Sequence, residues 1–286
     1  MRDPIQVDLA ALRRRHPHHF GTSGGNRRFG QLLTLGALAL LLFGMLRLGL
    51  FDARTFGGIG KLGEIVGLMI PPNPGDWAHV RIYLLAMVET VAIALLGTLV
   101  AAVLAIPLGL MAARNVMTAR VLHFLTRRSL DTIRSIDILI WALIWVNVVG
   151  LGPFAGVLAI MTSDIGSFGK LFSEAIEAAD RKPVEGILSA GGGRILSVRF
   201  GILPEVFPVL ASQVLYYFES NTRSATIIGI VGAGGIGLQL AEAIRTLELQ
   251  QVAFIIILIL IAVAAIDVVS SQLRFALIGR KASPPA

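Results

Sequence analysis

Six stretches of this chain run without a single charged side chain: residues 29–46, 91–113, 138–163, 206–218, 224–241 and 249–266. About 20 apolar residues cross a bilayer as a helix, and about 17 can suffice. The first, second and last runs are long enough alone. The run 138–163 is divided by Gly150-Leu151-Gly152-Pro153. Two helices meeting at a tight turn fit it better than one helix carrying a central proline. With their polar flanks these become 130–149 and 153–174, and a fifth helix begins near Pro204 and passes Glu219. The expectation is an all-α integral membrane protein with six transmembrane helices. Charged residues make up only 15% of the chain, against about 25% in soluble domains.

The net charge of +7 invites a nucleic-acid reading, but its placement follows the membrane. On the six-helix count, 17 of the 25 Lys and Arg fall on one side, in residues 1–28, 114–128, 181–199 and 274–281. Arg54, Lys61, Arg81, Arg223 and Arg245 fall on the other. Loops rich in Lys and Arg stay cytoplasmic, which places both termini inside a cytoplasmic (inner) membrane. Anionic lipid headgroups, not nucleic acid, are the partners such a surface implies. The chain has no cysteine and hence no disulfide or thiol site. His16, His18 and His19 lie in a basic tail, 1–28, where solvation is a commoner fate than metal binding.

The first span, 29–50, is followed by an extracytoplasmic loop, 51–81. Within it, Ile59, Leu62, Ile65, Val66 and Met69 have helical spacing, and Trp77 suits an interfacial anchor. A core from 82 to 274 and a short tail, 275–286, complete the chain. Gly97, Ala101, Ala102, Ala105, Gly109, Ala112 and Ala113 give the second span a small-residue face for close helix packing, with a kink expected at Pro107. Trp141 and Trp145 share a helical face and read as packing.

The polar loop 175–203 is the most informative segment. Residues 184–190 can form a short helix, and Gly191-Gly192-Gly193 ends it. Arg194 and Arg199 can meet acidic groups, and Pro204 suits the first turn of the next helix. By residues alone, an ordinary cytoplasmic loop with a glycine hinge fits as well. The run Gly232-Ala233-Gly234-Gly235-Ile236-Gly237 has the G-x-G-x-x-G form, but without a βαβ unit around it the nucleotide reading fails. Clustered glycines at membrane depth instead permit a re-entrant, non-helical turn. Glu219 and Arg223 share a helical face, as do Arg134 and Asp137. Each is either a structural pair or part of an aqueous pathway. Arg223 beside Asn221 and Ser224 offers donors for an oxyanion.

Glu185, Gly186, Gly191, Leu203 and Pro204 carry a family resemblance. The coupling loop of ABC-importer permeases reads Glu-Ala-Ala, three residues, Gly, nine residues, Ile, any residue, Leu-Pro. Glu185, Gly191, Leu203 and Pro204 match in place, while Gly186, Ile187 and Gly201 depart from it. Residues 218–237, with 89–109 and 141–157, resemble phosphonate importer permeases, and the likeness runs from Glu89 to Arg274.

The resemblance implies a type I ABC-importer (MetI-like) permease fold and a homodimer with the pathway along its two-fold interface. It also implies two ATPase subunits docked at Glu185, Gly186, Gly191, Arg194, Leu203 and Pro204, and an extracytoplasmic binding protein that delivers substrate. Arg134, Glu219, Asn221, Arg223, Ser224, Gly232, Gly234 and Gly235 become candidates for the pathway. The cargo implied is phosphonate, with phosphate or phosphite as alternatives. No G-x-x-x-x-G-K-[ST] occurs, so ATP and Mg belong to a partner subunit and this chain is expected to hold no cofactor. An ion-coupled transporter would predict paired broken helices in two halves, and no self-similarity between the halves is evident. A membrane enzyme would need clustered His, Asp or Glu at membrane depth, and the histidines lie mostly elsewhere.

Overall fold

The computed structural model describes residues 24–49 and 53–279, and every regular element among them is helical. The chain forms two compact units, Met1–Gly67 and Leu68–Ala286. In the first, α1 (Gly24–Arg47) holds an apolar stretch from Phe29 to Arg47 long enough to cross a membrane. Helix α2 (Ala53–Leu68) covers the periodic segment of the outer loop. It stops ahead of Pro71, which disfavours helical geometry in the residue before it. The histidine tail lies outside the described residues.

The second unit is organised around α3 (Trp77–Ala112). Asp76 caps it by accepting from His79 N at 3.1 Å. That backbone hydrogen bond, with the His79 ring 2.7 Å away, holds the Asp76 carboxyl below its ordinary range. The helix continues through Pro107 without interruption, so the expected kink does not break it. Gly97, Ala101, Ala105 and Gly109 form a buried stripe against α6 (Pro153–Ala178). A Cβ at Gly97 would stand 2.7 Å from Ile160, and one at Gly109 would stand 2.9 Å from Phe172. The small residues therefore set how closely the two backbones approach.

Three apolar clusters are strung along α3. Tyr83 and Met87 pack with Ile236, Val252 and Ile255. Ile93 and Ala94 pack with Ile160, Ala225 and Ile228, and Trp141 and Trp145 cover this cluster as expected of packing residues. Ala101 and Ala105 pack with Phe168, Phe172, Ile202 and Val206.

The expected span 130–149 is not one helix. Helices α4 (Arg120–Arg134) and α5 (Ile138–Val149) meet at 88°. Asp137 causes the break by capping α5, its Oδ1 accepting from Leu139 N at 2.8 Å. It does not pair with Arg134. Arg134 Nε instead lies 3.8 Å from Asp131. The glycine turn before α6 forms as expected, with Gly150 at φ 92° and Gly152 at φ 138°.

Beyond α6 come α7 (Lys182–Ser189), α8 (Arg194–Leu196), α9 (Leu203–Ile228), α10 (Ile236–Arg245) and α11 (Leu249–Gly279). Among the described residues, four stretches are long and apolar enough to cross a membrane, Phe29–Arg47, Trp77–Ala112, Arg194–Ala233 and Leu249–Leu277, short of the six expected; α4 with α5, bent by 88°, has the form of either a broken span or a re-entrant loop. Helix α6, expected as a further span, is more polar because it carries Asp164, Lys170 and Glu174. Its neighbours enclose much of it, so Asp164 and Ser173 are buried in protein.

Candidate functional site

Two candidate regions sit at opposite ends of α9. At its start, Arg194–Leu196 passes through a π-helical stretch, Ser197–Ile202, directly into α9. Pro204 lies just past this stretch. A proline crowds the carbonyl four residues back and supplies no N–H. The wider π turn accommodates both effects without ending the rod.

Helix α7 rests on that rod. Residue Gly201 gives it a seat, since a Cβ there would meet Ile187 Cδ1 and Val184 Cγ2 at 3.3 Å each. Gly191, at φ 83°, turns the chain back, and Gly192 N donates to Ile187 O at 2.9 Å. No residue of α7 is buried. Glu185, Gly186 and Leu188 are exposed, and next to the helix so are Ile195 and Phe200. Arg194 Nη1 donates to Thr118 Oγ1 at 2.6 Å, tying the segment to the loop after α3. The geometry is that of a small exposed helix joined stiffly to a long membrane rod.

Along α9, Val209, Tyr216, Ser220, Arg223 and Ile227, with Ile230 just past its end, are exposed or half-buried at helical spacing. The stripe mixes a guanidinium and hydroxyls into a membrane-spanning element. Arg223 is 49% exposed and lies 3.4 Å from Glu219 Oε1 through both Nη atoms. Glu219 is buried, and its other oxygen accepts from Arg274 Nη1 at 2.9 Å, so Arg223 and Arg274, expected in loops on opposite sides of the membrane, instead meet at one carboxylate within the helix bundle.

Asn221 does not join Arg223. It is buried, donating to Thr98 Oγ1 at 2.8 Å and to Asp164 Oδ2 at 2.5 Å. Ser224 is half-buried, and its hydroxyl reaches back to Ser220 O at 3.4 Å. Arg134 is separate from the Glu219 cluster by partner, since it pairs within α4.

The expected non-helical glycine turn is present. Gly232, Gly234 and Gly235 have φ of 100°, 82° and 72°. Such values favour glycine, and space does too. A Cβ on Gly234 would stand 2.8 Å from both Glu89 Oε1 and Pro153 N, and one on Gly235 would stand 2.4 Å from Thr90 Oγ1. Gly235 N donates to Glu89 Oε1 at 2.9 Å, and Ile236 N donates to Thr90 Oγ1 at 2.8 Å. These bonds satisfy backbone donors freed at the start of α10.

Thr90, Thr98, Asp164 and Arg274 are functional candidates absent from those expected of the sequence. A carboxylate such as Asp164 within a membrane helix was a signal available in the sequence. Among the described residues, no group of three or more His, Asp or Glu is placed to hold a metal ion.

An exposed short helix joined to a continuous rod, and polar side chains along a helix long and apolar enough to cross a membrane, fit a membrane transport subunit. The family model for the binding-protein-dependent transport system inner membrane component matches residues 105–282, and the chain belongs to that family. It is a multi-pass inner-membrane permease subunit of an ABC importer, not an enzyme, and works with a separate ATPase and a binding protein.

Among its relatives is the phosphite transport system permease protein PtxC of Stutzerimonas stutzeri. That protein is 34% identical over 93% of this chain and 95% of its own length. The phosphate-import permease protein PhnE of Mycolicibacterium smegmatis (strain ATCC 700084 / mc(2)155) is 39% identical over 73% of this chain and 39% of its own. The fold is shared with the MetNI methionine ABC transporter in an inward-facing conformation. There the TM-score is 0.61 at 20% identity, covering 71% of this chain and 99% of that one.

Proposed function

We propose that this permease imports a phosphorus oxyanion, phosphonate or a close relative such as phosphate or phosphite, through a pathway formed by two copies of the chain. The observation that carries this reading is Arg223, half-exposed on the polar stripe of a membrane-spanning helix. A cation facing lipid at that depth is costly, so such groups face a bundle interior or an aqueous path. A second copy laid along the stripe encloses Arg223 in a shared path, where its guanidinium meets an oxyanion. The relatives whose names specify phosphite and phosphate support the same cargo class.

Two ATPase subunits dock at α7 around Glu185, Gly186 and Gly191, with Leu203 and Pro204 at the joint to α9. Movement of α7 is passed along the rod to the stripe, and the glycine turn at Gly232, Gly234 and Gly235 stands at its far end. Both termini lie in the cytoplasm, where the Lys- and Arg-rich loops belong, and anionic lipids border that face. The chain holds no cofactor, and ATP with Mg stays on the ATPase. A few weak donors suffice in the path, since tight binding would prevent release.

The test is ATPase activity of the complex reconstituted with its ATPase and binding protein. Methylphosphonate, phosphate and phosphite are added in turn. Stimulation by at least one supports the reading. An assembled complex that none of them stimulates contradicts the cargo class.

A further inference from the structure

Glu219 has two cationic neighbours, and it holds them unequally. Arg274 Nη1 is 2.9 Å from Oε2, while Arg223 stands off at 3.4 Å from Oε1. Arg274 is 22% exposed and Arg223 is 49% exposed. The shorter, less hydrated pair is the stronger one. One carboxylate cannot neutralise two guanidiniums, so the trio carries a net positive charge. The surplus lies on Arg223, whose grip on the carboxylate is looser and whose surface is open.

We propose that Arg274 is a positioning residue for oxyanion recognition: it occupies Glu219 and thereby leaves Arg223 charged and available to the cargo. The inference rests on the reading of Arg223 as a pathway cation. Without Arg274, Glu219 becomes a full internal counter-ion to Arg223, and an incoming oxyanion meets a neutral pair. Glu219 is then a built-in competitor of the substrate, and Arg274 sets the strength of that competition. The arrangement also keeps affinity moderate, as a translocation path requires.

The test measures uptake of labelled methylphosphonate, phosphate or phosphite, whichever the reconstituted complex transports. R274Q is expected to raise KM by about tenfold, the size of one charge-assisted hydrogen bond. R274Q/E219Q is expected to return KM to near the original value, because the competitor has gone with its restraint. E219Q alone should lower KM, because the competitor is gone while Arg223 keeps its charge. It serves as the deciding variant if R274Q does not assemble.

An unchanged KM in R274Q overturns the proposal. So does a double variant no better than R274Q, which would mark Arg274 as packing only, and so does an unchanged or raised KM in E219Q. R223Q separates the two levels. If R223Q leaves KM unchanged, the pathway reading of Arg223 fails. If R223Q raises KM while R274Q does not, only the role of Arg274 fails.

Discussion

The side-chain amide of Asn221 donates to the carboxylate of Asp164, joining α9 to α6 across 57 residues of sequence. The same amide donates to Thr98, so one side chain fastens three helices. A buried polar group with its partners met fixes helix register, and one left without them is costly. Asn221→Ala strands the Asp164 carboxyl in the bundle. It should destabilise the purified permease by about 1–3 kcal/mol, read as a lower unfolding temperature in detergent. An unchanged midpoint would mean that the cluster does not hold the bundle together.

The glycine turn predicts a graded series. Gly235→Ala places a methyl group on Thr90, and Gly234→Ala places one between Glu89 and Pro153. Both also force an unfavourable backbone on alanine. Each should abolish most uptake and reduce the yield of folded protein. Gly193→Ala is the control: its φ is −81° and no atom lies within 4 Å of the added Cβ. Equal loss in all three variants would contradict a turn whose glycines are required by shape.

The seat of α7 predicts a rescue. Residue Ile187 stands where the family motif has Ala, and Gly201 stands where it has Ile. These two positions touch in the fold, with the larger residue at one site matched by the smaller at the other. Gly201→Ile alone should overpack the joint, at a typical cost of about 1–3 kcal/mol, and weaken coupling of ATPase activity to uptake. Ile187→Ala with Gly201→Ile should recover much of the loss. A double variant as poor as the sum of the singles would show that the positions are independent.

The exposed face of α7 predicts a specific loss of partner. Glu185→Arg changes an exposed side chain on a helix with no buried residue. It should release the ATPase during co-purification by about tenfold or more, as expected for reversal of an interfacial charge. Permease level in the membrane should be unchanged. Full retention of the ATPase would move the docking site elsewhere.

Much of the fold was legible because membrane helices write themselves in long apolar runs. Gly150-Leu151-Gly152-Pro153 marked its turn, and Gly191 marked the end of α7. The bend at Asp137 was not legible, because Asp137 had two local choices, Arg134 or the free N–H groups of α5, and capping prevailed. The orientation of Asn221 was within reach. Residues two apart on a helix point about 200° from each other, so Asn221 and Arg223 could not share a face. Arg274 was out of reach. Its partner Glu219 lies 55 residues away, and a terminal arginine looks like any cytoplasmic charge until α9 and α11 are packed together.

The proposed function requires that the polar stripe of α9 line a path shared by two copies. The chain has no native cysteine, so Ser220→Cys, one turn before Arg223, gives a unique reporter. The decisive measurement is modification of that cysteine by a small water-soluble thiol reagent in the assembled, reconstituted complex, with and without transported oxyanion. A shared path gives modification, slowed by the oxyanion, and a disulfide-linked dimer under mild oxidation. A cysteine that stays unmodified and never cross-links, in a complex that still transports, would place the path elsewhere.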